Sequence, residues 1–200
     1  MPEVAAVRTV TSPEDLREFL IGGHIAAAGE PPNYARLGVG WAQLMLESGR
    51  GQSVWNHNFG NLKCASDACQ RDRMWCRIPP APEEYPFQRA YVGPVEGAAA
   101  YWRLIASRYP QALPEFDAGK PYEAMYALWN GGNYPSYFEA APEGYARTVS
   151  ALFTEYVAKF PKHTHDPGGK TPTAATEGTS TVFVLAGLGV ALGAALYFWT

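Results

Sequence analysis

The chain has 200 residues, a formal net charge of -3 and only 18% charged residues. That length holds one ordinary domain with an appendage, and the charge leaves no basic surplus to neutralise a nucleic-acid backbone, which excludes DNA and RNA as expected partners. The 47% hydrophobic content is unevenly spread, because Gly178 to Thr200 contains no acidic, basic or histidine residue.

Met1 to Val10 lacks a basic region followed by a long apolar run, so no secretory signal is expected there. Ser12, then Pro13, Glu14 and Asp15, has the pattern of a helix N-cap with an acidic first turn, and Leu16, Phe19 and Leu20 supply the apolar stripe of a first helix. A second helix is expected from about Asn33 to Glu47, with Tyr34, Leu37, Trp41 and Leu44 on one face and Gly49 ending it. Asn61 to Tyr91 breaks the helical pattern and suits two or three short strands. It holds all three cysteines and the prolines Pro79, Pro80 and Pro82.

An odd cysteine count cannot pair fully within one chain, and the spacing of Cys64, Cys69 and Cys76 is not that of a zinc ribbon or a redox C-x-x-C. A local bridge, Cys64 to Cys69 or Cys64 to Cys76, is favoured over a metal site, with three unpaired thiols as the remaining alternative. A third helix starts near Pro94 with Val95, Ala98, Trp102, Ile105 and Tyr109. A fourth carries Tyr122, Met125, Tyr126 and Trp129 and stops at Gly131 and Gly132. The last carries Tyr145, Val149, Leu152, Tyr156 and Phe160, and these aromatic stripes read as core rather than as a cofactor box.

Pro161 to Ser180 has the composition of a flexible tether, in which His163 and His165 read as solvated residues. Thr181 to Trp199 as a helix would be roughly 28 Å long, enough to cross the hydrocarbon core of a bilayer. Tyr197, Phe198 and Trp199 suit a membrane interface, and Gly189 and Gly193 give the G-x-x-x-G spacing that would allow a helix dimer in the lipid bilayer. The expected organisation is a folded domain over 1–160, a linker over 161–180 and a transmembrane helix over 181–200.

Glu47 carries the chemistry. It stands where the second helix stops, beside Trp41, Leu44 and Met45, and partly apolar surroundings disfavour an ionised carboxylate, which lets the acid donate a proton near neutral pH. Taken alone, a glutamate before a helix-ending glycine is usually a solvated surface residue.

The run Trp41-Ala-Gln-Leu-Met-Leu-Glu47-Ser-Gly-Arg-Gly51, followed by Asn56-His-Asn-Phe59-Gly60-Asn-Leu-Lys63-Cys64, resembles the catalytic segment of endo-β-N-acetylglucosaminidases of glycoside hydrolase family 73, in the lysozyme-like superfamily. That family carries an A-x-x-A-L-E-S-G-W-G type run and then an N-x-F-G-I-K type run. Downstream, Phe87 to Tyr91 with Glu96 and Gly97 resembles its F-R-x-Y segment, and Ala127 to Tyr134 with Tyr145-Ala146 resembles its A-L-x-x-x-G-Y and Y-A segments. Three departures stand out: Arg50 replaces a usual aromatic residue, Asn61-Leu62 replaces an isoleucine, and Phe87 lies one residue further from Tyr91 than the pattern has it.

The resemblance implies a mainly α, α+β lysozyme-like fold: a helical lobe with a small irregular or β segment, followed here by the C-terminal transmembrane helix. It implies a peptidoglycan hydrolase cutting β-1,4 glycosidic bonds, with Glu47 as general acid. Glu83 or Glu84 would be the second carboxylate, Glu84 being preferred because Tyr85 follows it. Tyr134 would orient the acetamido group or the attacking water. Ser48, Asn58, Phe59, Lys63, Tyr91 and Tyr137 would bind substrate, with Ser48 supporting Glu47 or the backbone and His57 on the groove wall. No metal or organic cofactor is needed for this chemistry.

The segment Leu128-Trp-Asn-Gly-Gly also resembles lytic transglycosylases, whose products end in 1,6-anhydro sugars. A non-catalytic wall-binding or membrane-assembly protein on the same scaffold is the other alternative. Lys159, Lys162 and Lys170 precede the apolar segment and no basic residue follows it, which keeps the domain cytoplasmic by the positive-inside rule while peptidoglycan lies outside. A virion-associated enzyme anchored in a phage membrane reconciles the two, and a tail-anchored protein of the bacterial cell membrane is the competitor.

Overall fold

The computed structural model describes residues 3–64, 69, 73–77, 87–131, 137 and 141–162. Helix α1 spans Pro13–Ala28, α2 Tyr34–Glu47, α3 Pro94–Arg108, α4 Leu113–Asp117, α5 Pro121–Asn130 and α6 Pro142–Lys159. Strands β1 (Trp75–Arg77) and β2 (Phe87–Arg89) form one antiparallel pair with Cys76 opposite Gln88. The fold is mainly helical with a two-stranded sheet, as the sequence pattern implies.

Local chemistry sets the helix ends. The Ser12 hydroxyl accepts from the Asp15 amide at 3.0 Å, with Pro13 in the first turn, and α1 stops at Gly29, whose φ of 84° suits a residue without Cβ. Asn33 caps α2 by accepting from the Arg36 amide at 2.7 Å. The five expected helices correspond to α1, α2, α3, α5 and α6, and α5 ends at Gly131 in the left-handed region. A 3-10 turn over Pro110–Ala112 and the short α4 were not expected. Their periodicity is too brief to read, yet Phe116 from α4 is fully buried.

Helix α2 is the axis of the core: α1, α4 and α6 pack against it, α3 lies along α1, and α5 along α6. Most of its residues from Leu37 to Met45 are buried, so it is apolar nearly all round rather than on one face. Close approach depends on two glycines. A Cβ on Gly38 would come within 2.7 Å of the Phe153 and Tyr156 rings, and one on Gly40 within 2.6 Å of the Trp102 ring. Two indoles are held by backbone carbonyls of α1, Trp41 of α2 donating to Pro13 at 2.8 Å and Trp102 of α3 to Leu20 at 2.9 Å. Arg36 grips Asp117 of α4 through two nitrogens, at 2.6 and 2.5 Å.

Residues 3–11 form an extended strap. Its backbone bonds run from Val4 to Trp75, from Thr9 to Val54 and from Thr11 to Gly51, so the strap stitches β1 to the loop that follows α2. Cys64 and Cys69 are joined in a disulfide, which selects one of the two expected pairings, and Cys76 is a buried free thiol. Among the described residues no helix is long and apolar enough to cross a membrane. The expected transmembrane helix over 181–200, with Gly189 and Gly193, and nearly all of the linker lie outside the described residues.

Trp102 cannot retreat from Gly40 without losing its bond to Leu20, so Gly40→Ala will overpack the core. Despite the better helix propensity of alanine, we expect a loss of about 1–3 kcal/mol, measurable by urea denaturation.

Candidate active site

Glu47 is the last residue of α2 and is 6% exposed. Its position follows from the helix register. The residues one turn back, Gln43 and Leu44, are fully buried, so the final turn carries the carboxyl inward rather than to solvent. After it, the Ser48 and Arg50 amides bond back to Leu44 and Met45, and the chain turns through Gly49 and Arg50 at positive φ.

Two side chains hold the carboxylate. The Tyr145 hydroxyl, from the second turn of α6, donates to Oε1, and Asn61 Nδ2 donates to the Glu47 backbone oxygen at 2.8 Å and weakly to Oε2 at 3.4 Å. Asn61 reaches back because its backbone is left-handed, with φ of 50°. Burial pushes the Glu47 pKa up from 4.5 to about 7, against the lowering effect of the Tyr145 and Asn61 hydrogen bonds. The negative end of the α2 dipole acts in the same direction as burial.

A layer of tyrosines surrounds the acid. Tyr101, Tyr137 and Tyr145 all have pKa values raised by burial first and then by the Glu47 charge, so their hydroxyls stay protonated. Tyr101 donates to Gln43 Oε1 at 2.8 Å. The Gln43 amide nitrogen lies near the Tyr145 hydroxyl without a hydrogen bond of good geometry. Gln43, Tyr101 and Glu47 therefore form one buried polar seam between α2 and α3, completed by Tyr145 from α6.

The structure separates the sequence-predicted residues into groups. Tyr137 belongs to the acid's surroundings: it is buried, its hydroxyl donates to the Gly60 carbonyl at 3.5 Å, and its ring meets Tyr109 edge-on. Ser48 is buried and its hydroxyl accepts from the Gly51 amide at 2.9 Å, so it holds the turn after Glu47, the supporting role. Phe59, expected to bind substrate, is buried in the core and stacked on Phe19. Asn58 is also buried. It accepts from the Leu62 amide at 2.8 Å and donates to Leu62 oxygen and to Gln88, which shapes the loop that delivers Asn61. Lys63 pairs with Gln88 as an isolated bridge and its carbonyl accepts from Arg89.

Tyr91 follows β2, its amide donates to the Asn56 carbonyl at 3.0 Å and its hydroxyl is buried. His57, half-buried and at positive φ, has its pKa lowered by burial, and its amide donates to Thr9 Oγ1 at 3.1 Å. Glu83, Glu84 and Tyr134 lie outside the described residues. Among the described residues no group of three metal-ligating side chains comes together.

The sequence places Tyr145 in a core stripe and in the Y-A segment of the resemblance without giving it a role, and Tyr101, Gln43 and Asn61 were not singled out as site residues. A signal existed for one of them, since a glutamine one helical turn before Glu47 sits on the same, otherwise apolar, face. The Arg50 departure also has a structural reading: its guanidinium grips Glu155 of α6 through two bonds of 2.9 Å, tying the turn after the acid to the helix that carries Tyr145.

Compared with family models, curated proteins and solved structures, the chain matches none.

Between pH 4.5 and about 7 the native state keeps the Glu47 proton that the unfolded chain has already lost, so stability falls as pH rises through that window. Glu47→Gln removes this dependence. Calorimetric scans should show equal stability for the two proteins near pH 4 and a more stable variant above pH 7, by about 3 kcal/mol at most.

Proposed function

We propose that this protein is a peptidoglycan hydrolase in which Glu47 protonates the glycosidic oxygen. The observation that carries the reading is the Glu47 carboxyl itself, buried at a rigid helix end with a pKa near 7 and held by Tyr145 and Asn61. A carboxyl at the ordinary value of 4.5 would be ionised at neutral pH and could not act as an acid, whereas one near 7 is half protonated and donates readily as positive charge grows at the anomeric carbon. The resemblance of the Glu47-Ser48-Gly49 run and of three later segments to the glucosaminidase family supports the same assignment.

Glu84, or its neighbour Glu83, serves in this proposal as nucleophile or as base for the attacking water, and Tyr134 orients the acetamido group. A carboxyl separation of about 5 Å would make it a nucleophile and roughly 6.5 to 9.5 Å would leave room for water. The apolar segment 181–200 anchors the enzyme in a membrane, and a phage membrane would carry the domain to the host wall.

The test is mass spectrometry of muropeptides released from purified peptidoglycan by the full chain in detergent, beside Glu47→Gln. Reducing N-acetylglucosamine ends that vanish in the variant are the expected result. Anhydro-muramyl ends would make the protein a lytic transglycosylase, and reducing muramic ends a lysozyme-type enzyme. No release by the folded protein would overturn the enzyme reading in favour of a wall-binding role.

A second variant probes the acid. The Tyr145 hydroxyl stabilises the ionised form of Glu47, so Tyr145→Phe raises the Glu47 pKa further. The alkaline limb of the pH–rate profile, set by loss of the Glu47 proton, should move to higher pH in this variant.

A further inference from the structure

From Leu37 to Met45 every residue of α2 is buried, and Gln43 is the one hydrophilic residue among them. The fold has no need of an amide there, since a methionine of similar shape would continue the apolar run with no polar group to satisfy. The amide is held from α3: the fully buried Tyr101 hydroxyl donates to Gln43 Oε1 at 2.8 Å. That bond turns the oxygen toward Tyr101, so the nitrogen is the end that lies near the Tyr145 hydroxyl of α6, buried and without a hydrogen bond of good geometry. The Tyr145 hydroxyl in turn gives its proton to Glu47 Oε1.

A phenol carries one proton and accepts through its oxygen, so Tyr145 has two ways to meet Glu47. It can donate to the carboxylate, or it can accept from the protonated carboxyl. In the second arrangement the acid's proton is buried against Tyr145 and withheld from a substrate. An N–H aimed at the Tyr145 oxygen occupies the lone pair that such a proton would need. A carbonyl oxygen in the same place would do the opposite and compete with Glu47 for the Tyr145 proton. The orientation imposed by Tyr101 therefore decides the polarity of the whole seam.

We propose that Gln43 is a positioning residue: anchored by Tyr101, its amide N–H keeps the Tyr145 hydroxyl donating to Glu47 Oε1 and so leaves the acid's proton on Oε2. Oε2 is the less engaged oxygen, meeting Asn61 Nδ2 at 3.4 Å. From Oε2 the proton passes to the glycosidic oxygen, which departs with the electron pair of its bond to the anomeric carbon. That use of the proton rests on the hydrolase reading, whereas the hold of Gln43 on Tyr145 does not. Tyr101, Tyr145 and Tyr137 are the described titratable groups that respond to the Glu47 charge, and all three stay protonated near neutral pH. Arg50, three residues beyond the acid, is paired with Glu155.

The experiment follows the Glu47 carboxyl by ¹³C NMR in the full chain in detergent, labelled at the glutamate carboxyls and assigned with Glu47→Gln, beside the pH–rate profile of muropeptide release. Gln43→Met removes the amide, and Tyr101→Phe removes its anchor and frees the amide to turn its oxygen to Tyr145. Either change lets the protonated acid donate to Tyr145, so the Glu47 pKa should move up from about 7 by about 0.5–1 in both. Release at about pH 6 should fall about tenfold even though the acid holds its proton. In the Tyr145→Phe background Gln43→Met should add no shift, because the hydroxyl through which it acts is gone. Thermal unfolding checks that each variant is folded.

An unmoved or lowered Glu47 pKa in both folded variants would overturn the inference. So would a shift from Gln43→Met that persists undiminished beside Tyr145→Phe, since the glutamine would then act by packing alone. If the titration moves as expected while neither wild type nor variant releases muropeptides, the positioning role stands and the hydrolase reading fails. Release by the wild type with an unmoved titration in the variants gives the reverse.

Discussion

A carboxyl buried at the end of a central helix is the constraint around which this domain is arranged. Leaving the Glu47 oxygens unpartnered in an apolar lobe would cost several kcal/mol, and the chain answers with groups from two directions. Tyr145 comes from α6 and Asn61 from the loop after α2, while beside them Tyr101 of α3 donates to Gln43 of α2. Each donor must arrive at its place with little freedom, so the helices that carry them must be close and fixed. Gly38 and Gly40 permit that proximity. They let the α6 rings and Trp102 of α3 press against the α2 backbone, where any side chain would hold them off.

The same constraint accounts for the crowded chemistry just after the acid. Arg50, Asn56, His57 and Asn61 all take positive φ, an uncommon density of left-handed non-glycine residues. Such conformations persist only where surrounding bonds over-determine them. Here the bonds come from the N-terminal strap and from the loop itself: Asn56 donates to Ala5 and accepts from Val7, Thr9 accepts from His57, and Asn58 closes on Leu62. The strap, which has no helical or strand periodicity of its own, therefore bears on the position of the Asn61 amide and through it on the acid.

Much of the helical scaffold was legible in the sequence because its signals are local. Ser12-Pro13-Glu14-Asp15 and Asn33 announce helix starts through side chains that bond three residues ahead, and Gly131 announces a stop through backbone conformation. Glu47 was legible for the same reason, lying in a contiguous run with apolar neighbours. Its partners were not. Tyr145 is 98 residues away in sequence, and a tyrosine on the apolar stripe of a helix gives no indication of whether its hydroxyl meets water, a carbonyl or a carboxylate. The resemblance put Phe59 and Asn58 among the substrate-binding residues, whereas both side chains are buried in the body of the fold.

The groups that touch the Glu47 carboxylate are neutral, and their neutrality bears on its protonation. A guanidinium within about 4–6 Å of a carboxylate favours its ionised form and lowers its pKa by 1–3 units. One arginine beside Glu47 would therefore return it to the ordinary carboxylate range and end its usefulness as a proton donor at neutral pH. Tyrosine and asparagine avoid that outcome, since they fix the carboxylate geometrically while contributing no net charge.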